Sequence, residues 1–354
     1  MKIRRISRPL SFLLNGTVFS VFAFAAVLSC QRLPYLLEGT PAGLFAFLTG
    51  FVPVAAPSAD SDPSVYEIPD EEEFFVLLPD EGAIPGITIR EQDIEKTPVN
   101  ESEPPLPDNA EPVKALTISS SLKPKNNPGL SFDEDKLWSR THAFDRGKDA
   151  VLIVHTHGSE SYSLSSRAFV AENRDARSLD PQKNVVAVGD VLEKELTERG
   201  FRVIHNRTLC DEPGFRTAYK TALGVIEQEM KKDPSIAMVL DLHRDSLEAS
   251  DGTRYKLISG DGKSSQIMFV VGSDALLSHP DWESNLSFAL HLEKKAMELY
   301  EDLARPVTIS KNRYNEHVTP LSLIVECGTE ANTLAEAKAA AVRLARVLDE
   351  TLSP

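Results

Sequence analysis

The 354-residue sequence predicts an α/β fold, a single domain with a central mixed, mostly parallel sheet flanked by helices. Three observations predict it. Continuous apolar runs such as Val151-Leu152-Ile153-Val154 have the pattern of strands buried on both faces. Stretches with apolar residues at helical spacing alternate with those runs, the order expected of a sheet covered by helices. The composition also changes sharply near Val113, which marks where the predicted folded domain, residues 113–354, begins.

Upstream of that point the chain has three predicted parts. Residues 1–8 carry Lys2, Arg4, Arg5 and Arg8 and read as a cytoplasmic basic tail. Residues 9–31 hold no charge and are mostly apolar, long enough to cross a bilayer as a helix, so they read as a transmembrane anchor. The basic residues before the span place the remainder outside the cytoplasm. Ala23-Phe24-Ala25 offers a signal-peptide cleavage site as the other reading, and that reading exports the rest equally. A second apolar stretch, 40–56, is interrupted by Pro41, Gly43, Gly50 and Pro53 and suits the membrane surface better than a second crossing.

Residues 32–112 read as a membrane-proximal segment and an acidic, proline-rich, disordered linker. Between Ala56 and Pro112 there are sixteen acidic residues, two basic ones and ten prolines, a composition unable to offset its own conformational entropy by burial. Most of the net charge of −15 therefore belongs to the tether and not to the domain. That balance excludes an unaided nucleic-acid binder, which needs clustered Lys and Arg. The apolar patch Phe74-Phe75-Val76-Leu77-Leu78 interrupts the linker and reads either as a docking segment or as a passing surface contact. The three cysteines, Cys30, Cys210 and Cys327, supply no disulfide framework.

Within the domain, Val185 to Glu198 predicts an amphipathic helix closed by Gly200, and Phe201 to His205 a strand. Phe215 to Lys231 reads as a helix, and Ile236 to Leu240 as another buried strand. Tyr255–Ser259 and Gln266–Gly272, separated by Gly260-Asp261-Gly262, resemble a hairpin. Trp282 to Leu303 predicts a long helix, Val307–Ser310 and Leu321–Val325 strands, and Glu330 to Leu352 an Ala-rich terminal helix with Asn332 or Thr333 as its cap.

Three strand termini carry residues able to do chemistry. The first offers His155-Thr156-His157-Gly158-Ser159-Glu160, in which His157 and Glu160 can converge on one cation. By the two-residue strand period His155 shares a face with His157 and is its rival as ligand. The second offers Asp241-Leu242-His243-Arg244-Asp245. His243 would complete a ligand set of two His and one Glu that leaves a fourth position open, as in catalytic zinc sites. Asp241 or Asp245 would orient its ring, and Arg244 would take a substrate carboxylate or pair with Asp245. The third offers Glu326 as general base and acid. Asn315 and His317, just before that strand, are candidate substrate contacts, and His205 is a weaker ligand candidate. His142, His279 and His291 read as surface residues.

The ordered set VLIVHTHGSESYS, NVVAVGDVL, FRVIHNRT, LDLHRDS and LIVECGTEANTLAEA resembles the stage II sporulation protein P family across about Lys114 to Leu352. The resemblance implies an amidase-like fold similar to zinc-dependent N-acetylmuramoyl-L-alanine amidases. It further implies thinning of septal peptidoglycan during engulfment of the forespore, with stage II sporulation proteins D and M as partners, and activity on stem peptides or their cross-links. Related amidases take a Glu ligand from the first helix. Here that helix opens with Asn184, which moves the ligand to Glu160. The step Asn315-Glu316-His317 and the presence of Cys327 between Glu326 and Gly328 also depart from the family pattern.

The expected function is therefore cleavage, outside the cytoplasmic membrane, of the amide joining N-acetylmuramic acid to L-alanine. Zinc would be held by His157, Glu160 and His243, with Glu326 moving protons. A non-catalytic module that binds peptidoglycan or a partner, or a zinc carboxypeptidase, are the alternatives.

Overall fold

The computed structural model describes residues 88–92, 106–108, 110–173, 175–212 and 214–353. The predicted tail and anchor (1–31), the stretch 40–56, Cys30 and the patch 74–78 lie outside the described residues. Among those described, no helix is long and apolar enough to cross a membrane.

The central sheet has seven strands: β3 (Lys125–Asn126), β4 (Ala150–Val154), β5 (Arg202–His205), β6 (Ile236–Asp245), β8 (Ile267–Gly272), β9 (Thr308–Ser310) and β10 (Leu321–Thr329). They lie in the order β3-β9-β8-β10-β6-β4-β5. Every neighbouring pair is parallel except β8 with β10, so the sheet is mixed and mostly parallel, as expected. A second, three-stranded sheet joins β1 (Thr88–Gln92), β2 (Val113–Ser119) and β7 (Arg254–Leu257).

The helices are α1 (Glu134–Ser139), α2 (Val185–Glu198), α3 (Ala218–Lys232), α4 (Trp282–Leu299) and α5 (Leu334–Thr351). One face of the sheet packs Val151, Ile153, Met238, Leu240, Leu242, Leu323 and Val325 against α2, α4 and α5. Leu152, Val154 and Val239 point the other way, towards Ile226 of α3. The alternation of adjacent strand residues between the two clusters is the period of two written through β4 and β6.

Local chemistry explains the helix on which the site leans. Asn184 caps α2 by accepting from the Val186 amide, and Val185, Val188, Leu192 and Leu196 bury one stripe of it completely. Each such side chain contributes about 1.5–3 kcal/mol by leaving water. Gly200, at φ +82°, turns the chain into β5. Thr333, one of the two expected caps, closes a reciprocal capping box with Glu336 on α5.

Four expectations change. Thr88–Gln92, inside the stretch read as linker, pairs antiparallel with β2, because its polar alternation suits an edge strand with one face on the domain. The predicted hairpin exists only at its neck, where Ile258 bridges Ser265; β7 and β8 then diverge into different sheets. Strands β6 and β10 run to Asp245 and Thr329, beyond their apolar runs, so His243 and Glu326 stand inside strands and not after them. His279 is buried, with Nδ1 3.1 Å from the Gly272 carbonyl, while His142 and His291 are half-buried and 3.3 Å apart.

Glu293 of α4 is a fully buried carboxyl with one oxygen unpartnered; burial pushes its pKa up to about 7, against a Ser120 hydroxyl bond that favours ionisation. The folded chain thus holds a proton that the unfolded chain releases at ordinary carboxylate pH. The contribution of this one group to stability is full below about pH 4.5, falls by up to about 3 kcal/mol as pH rises towards 7, and is then level. Denaturant unfolding at pH 5 and pH 8, compared between wild type and Glu293→Gln, should show this contribution as a smaller fall in the variant.

Candidate active site

On β6, Asp241, His243 and Asp245 alternate with the apolar residues that face α2 and α5, so they project from the opposite face. Glu326 does the same on β10, and the ladder sets it directly beside His243. A bulge between Glu326 and Thr329, with Gly328 at φ +74°, ends that register. A side chain at Gly328 would lie 2.9 Å from Asn332 Oδ1 and from the Ser265 side chain, so glycine is required there.

The turn after β4 supplies the other two groups. Glu160 Oε2 accepts from the Arg244 amide at 3.0 Å and lies 3.6 Å from His243 Nδ1. His157 stacks on Phe215 (centroids 4.3 Å apart) and stands edge-on to His243 at 5.3 Å. Asp241 accepts from the Thr156 amide and hydroxyl and sits 3.2 Å from His243 Nε2. His157, Glu160, His243 and Glu326 thus share one cleft of about 650 Å³, walled also by Phe215, Tyr219 and Arg177.

Burial lowers the proton affinity of His157, and the charge of His243 adds to this. Burial also acts against a charged His243, but the adjacent Asp241 carboxylate outweighs it and raises the pKa. Glu160 and Glu326 are both raised by burial, with His243 opposing. Among the described residues lining the cleft, three buried side-chain atoms have no hydrogen-bond partner: His157 Nδ1, His243 Nε2 and Glu326 Oε2. His243 Nε2 is near Asp241 yet misaligned for a bond, which we read as an ionic contact. Unsatisfied groups of this kind are costly unless a ligand or ion completes them.

His155 does not join this group. Because β4 ends at Val154, the period of two does not carry through to His157. His155 instead continues the side of Val151 and Ile153, with Nε2 2.7 Å from His205 Nε2 and its ring against Gly189 of α2. His205 Nδ1 in turn faces Asp190 and Glu193 at 3.4 and 3.3 Å. Asp190, Glu193 and His205 are close enough together to hold a metal ion. Arg207, however, already reaches both carboxylates, at 2.7 and 2.5 Å. The place of a cation there is thus taken by a guanidinium.

Arg244 pairs with neither a free carboxylate nor the Asp245 side chain. Its guanidinium donates to the carbonyls of Ser161, Asp175, Ala176 and Asp245, tying down the loop that carries Glu160. The Asp245 carboxylate pairs instead with Arg305 at 2.8 Å. Asn315 is outside the cleft lining; its amide donates to the Tyr219 carbonyl at 2.9 Å. His317 is exposed, its ring 6.4 Å from that of His279, and is also outside the lining. The sequence reading missed Phe215, in the short 3-10 turn before α3, and Tyr219, in its first turn, which wall the cleft, and the Ser159–Asp211–Arg177 group beside them. Phe215 and Tyr219, four apart just after Gly214, were the available signal.

Fold and cleft together define an α/β protein with two histidines and two carboxylates gathered on one face of its sheet. The chain belongs to the stage II sporulation protein P (SpoIIP) family, whose model matches residues 80–349. It is similar to the stage II sporulation protein P of Bacillus subtilis (strain 168), 27% identical over 216 residues, which is 57% of this chain and 51% of that relative. The matched stretch thus spans about half the length of the curated relative. Among solved structures it is similar to the CwlD amidase from Clostridioides difficile in complex with the GerS lipoprotein, at 13% identity, TM-score 0.34, covering 58% of this chain and 98% of that one. It is also similar to the N-acetylmuramoyl-L-alanine amidase AmiC2 of Nostoc punctiforme, at 10% identity, TM-score 0.33, covering 59% and 97%.

Proposed function

We propose that this chain is a zinc-dependent peptidoglycan hydrolase of sporulation, cutting the amide between N-acetylmuramic acid and L-alanine. The observation that carries this reading is that His157, Glu160 and His243 line one cleft with unpartnered Glu326 beside them. Two imidazoles and a carboxylate fit zinc by donor type, and Asp241 against His243 is the outer carboxylate that commonly orients a ligating ring. Zinc held there would polarise the scissile carbonyl and make water a better nucleophile near neutral pH.

The rest falls to the chain itself. As the carbon–nitrogen bond breaks and a carbon–oxygen bond forms, Glu326 takes the proton from the attacking water and delivers it to the departing alanine nitrogen. Burial raises the proton affinity of its carboxyl, which suits a group that must retain that proton until the amine leaves. Arg244 and the backbone around Ser161 hold Glu160 in place. Phe215 and Tyr219 offer flat apolar surface to a sugar ring or peptide.

The family supports a setting in sporulation; septal wall degradation during engulfment, stage II sporulation proteins D and M as partners and stem-peptide cross-links as further substrates are parts of the same proposal. The apolar run 9–31 would tether the domain outside the cytoplasmic membrane. Digestion of purified sacculi by the full-length protein tests the chemistry. We expect new amino-terminal alanine and loss of stem peptides from the glycan. Release of carboxyl-terminal amino acids would instead mean a carboxypeptidase, and the absence of any soluble product would end the hydrolase reading.

A further inference from the structure

Away from the cleft lies a second cavity, of about 520 Å³, which the proposed chemistry does not use. Met230, Ile236, Val318 and Leu321 give it apolar walls, Arg140 and His142 join the lining, and none of the described lining residues is acidic. Ile236 and Leu321 begin β6 and β10, so along β6 the cavity is about 23 Å from His243, at the other end of the sheet. Arg140 donates through Nη1 to the Ser284 hydroxyl at 2.6 Å and through Nη2 to Glu283 at 3.1 Å, while its Nε is buried without a partner. Glu283 also takes Lys136 at 3.1 Å, so one carboxylate serves two cations. A buried donor left unmade beside apolar walls suits an occupant that brings both apolar side chains and negative charge.

This chain carries such an occupant. The apolar segment Phe74-Phe75-Val76-Leu77-Leu78 follows directly on Asp70-Glu71-Glu72-Glu73, and the proposed chemistry gives it no task. Its reach is set by β1. Thr88 pairs with Ser119, and the adjacent Ser120 hydroxyl bonds to Glu293 of α4. Ser284, in the cavity lining, stands nine residues earlier on α4, about 13 Å along the helix. Leu78 precedes Thr88 by ten residues, which span up to about 33–36 Å when extended. That reach covers the distance along α4 and the lateral step from β1 to the helix. A segment linked this closely competes at about millimolar effective concentration, which favours it over a second copy or a partner arriving from solution.

We infer that residues 74–78 dock in this cavity, their apolar side chains on Met230, Ile236, Val318 and Leu321 and the acids before them on Arg140. Docking moves the point at which the tether leaves the domain from β1 to the end of the sheet opposite the cleft. The inference does not depend on the hydrolase reading.

The test uses the full-length protein and a fluorescent peptide copying residues 68–80. The peptide is titrated onto the wild-type chain and onto Phe74→Ser/Phe75→Ser/Leu77→Ser/Leu78→Ser, whose own segment no longer competes. We expect the quadruple variant to bind the peptide at least ~10-fold more tightly than wild type, because the linked copy is present at about millimolar effective concentration. Adding Ala237→Arg to that variant puts a long side chain at a half-buried position of the cavity lining and should abolish binding. Thermal melting checks that this protein is folded. If it is not, Arg140→Glu in the same background decides: it should weaken the peptide, and a peptide with Lys in place of its four acids at 70–73 should bind this chain better than the native peptide does. Equal affinity for wild type and the quadruple variant, binding to neither, binding that survives Ala237→Arg in a folded chain, or no gain from the charge swap would each overturn the inference. So would a peptide affinity for wild type that weakens as protein concentration rises, since the segment would then be docking on a second copy.

Discussion

Replacing Glu326 by Gln should lower the rate of amide cleavage by about 10²–10⁴-fold, the usual contribution of a positioned acid–base group, while bound zinc stays at wild-type level. Gln fills the same space beside His243 and keeps a carbonyl oxygen, so the cleft should hold its shape. It can neither accept the water proton nor return it to the amine. Metal content and amino-terminal alanine release on one preparation check both halves of the expectation. Coupled loss of zinc and activity would place Glu326 among the ligands instead.

His243→Ala should behave differently, losing metal and activity together. Outer partners of metal ligands already cost about 10–100-fold in affinity when removed, so loss of a direct ligand should cost at least ~100-fold. The substitution also leaves Asp241 and Glu160, which flank the two ring nitrogens, as buried carboxylates without the imidazole between them. Zinc titration by competition with a chelator measures the affinity, and alanine release measures the activity. Full zinc content and activity in this variant are incompatible with the proposed ligand set. Asp241→Asn should give the milder loss expected of an orienting residue.

These two expectations rest on residues that the sequence singled out, and the manner of their meeting is instructive. Val151 to Val154, Ile236 to Leu240 and Leu321 to Val325 announce buried strands by their unbroken apolar runs, because a strand covered on both faces has no polar side. His157, Glu160, His243 and Glu326 were legible as polar residues appended to such runs. The actual strand limits were not legible, since β6 and β10 continue through Asp245 and Thr329 by pairing with each other. The hairpin misreading has the same origin: β7 and β8 choose partners far away in sequence, β2 for one and β9 and β10 for the other.

His155 shows the limit most clearly. Two residues from His157 and identical in type, it differs only in where β4 ends, and that single register decision sends one imidazole into the cleft and the other towards α2 and His205. Arg244 and Arg305 are a second case. Sequence proximity paired Arg244 with Asp245, whereas the folded chain gives Arg244 to loop carbonyls and Asp245 to an arginine sixty positions away.

The sequence by itself determined the alternation of strand and helix, the family, and which residue types could carry chemistry, because these follow from local periodicity and side-chain identity. Only the tertiary structure decided which histidine faces the cleft, which carboxylate stays unpaired and which arginine takes the Asp245 carboxylate. Those choices depend on strand register and long-range pairing, where a shift of one residue moves a side chain to the opposite face of the sheet.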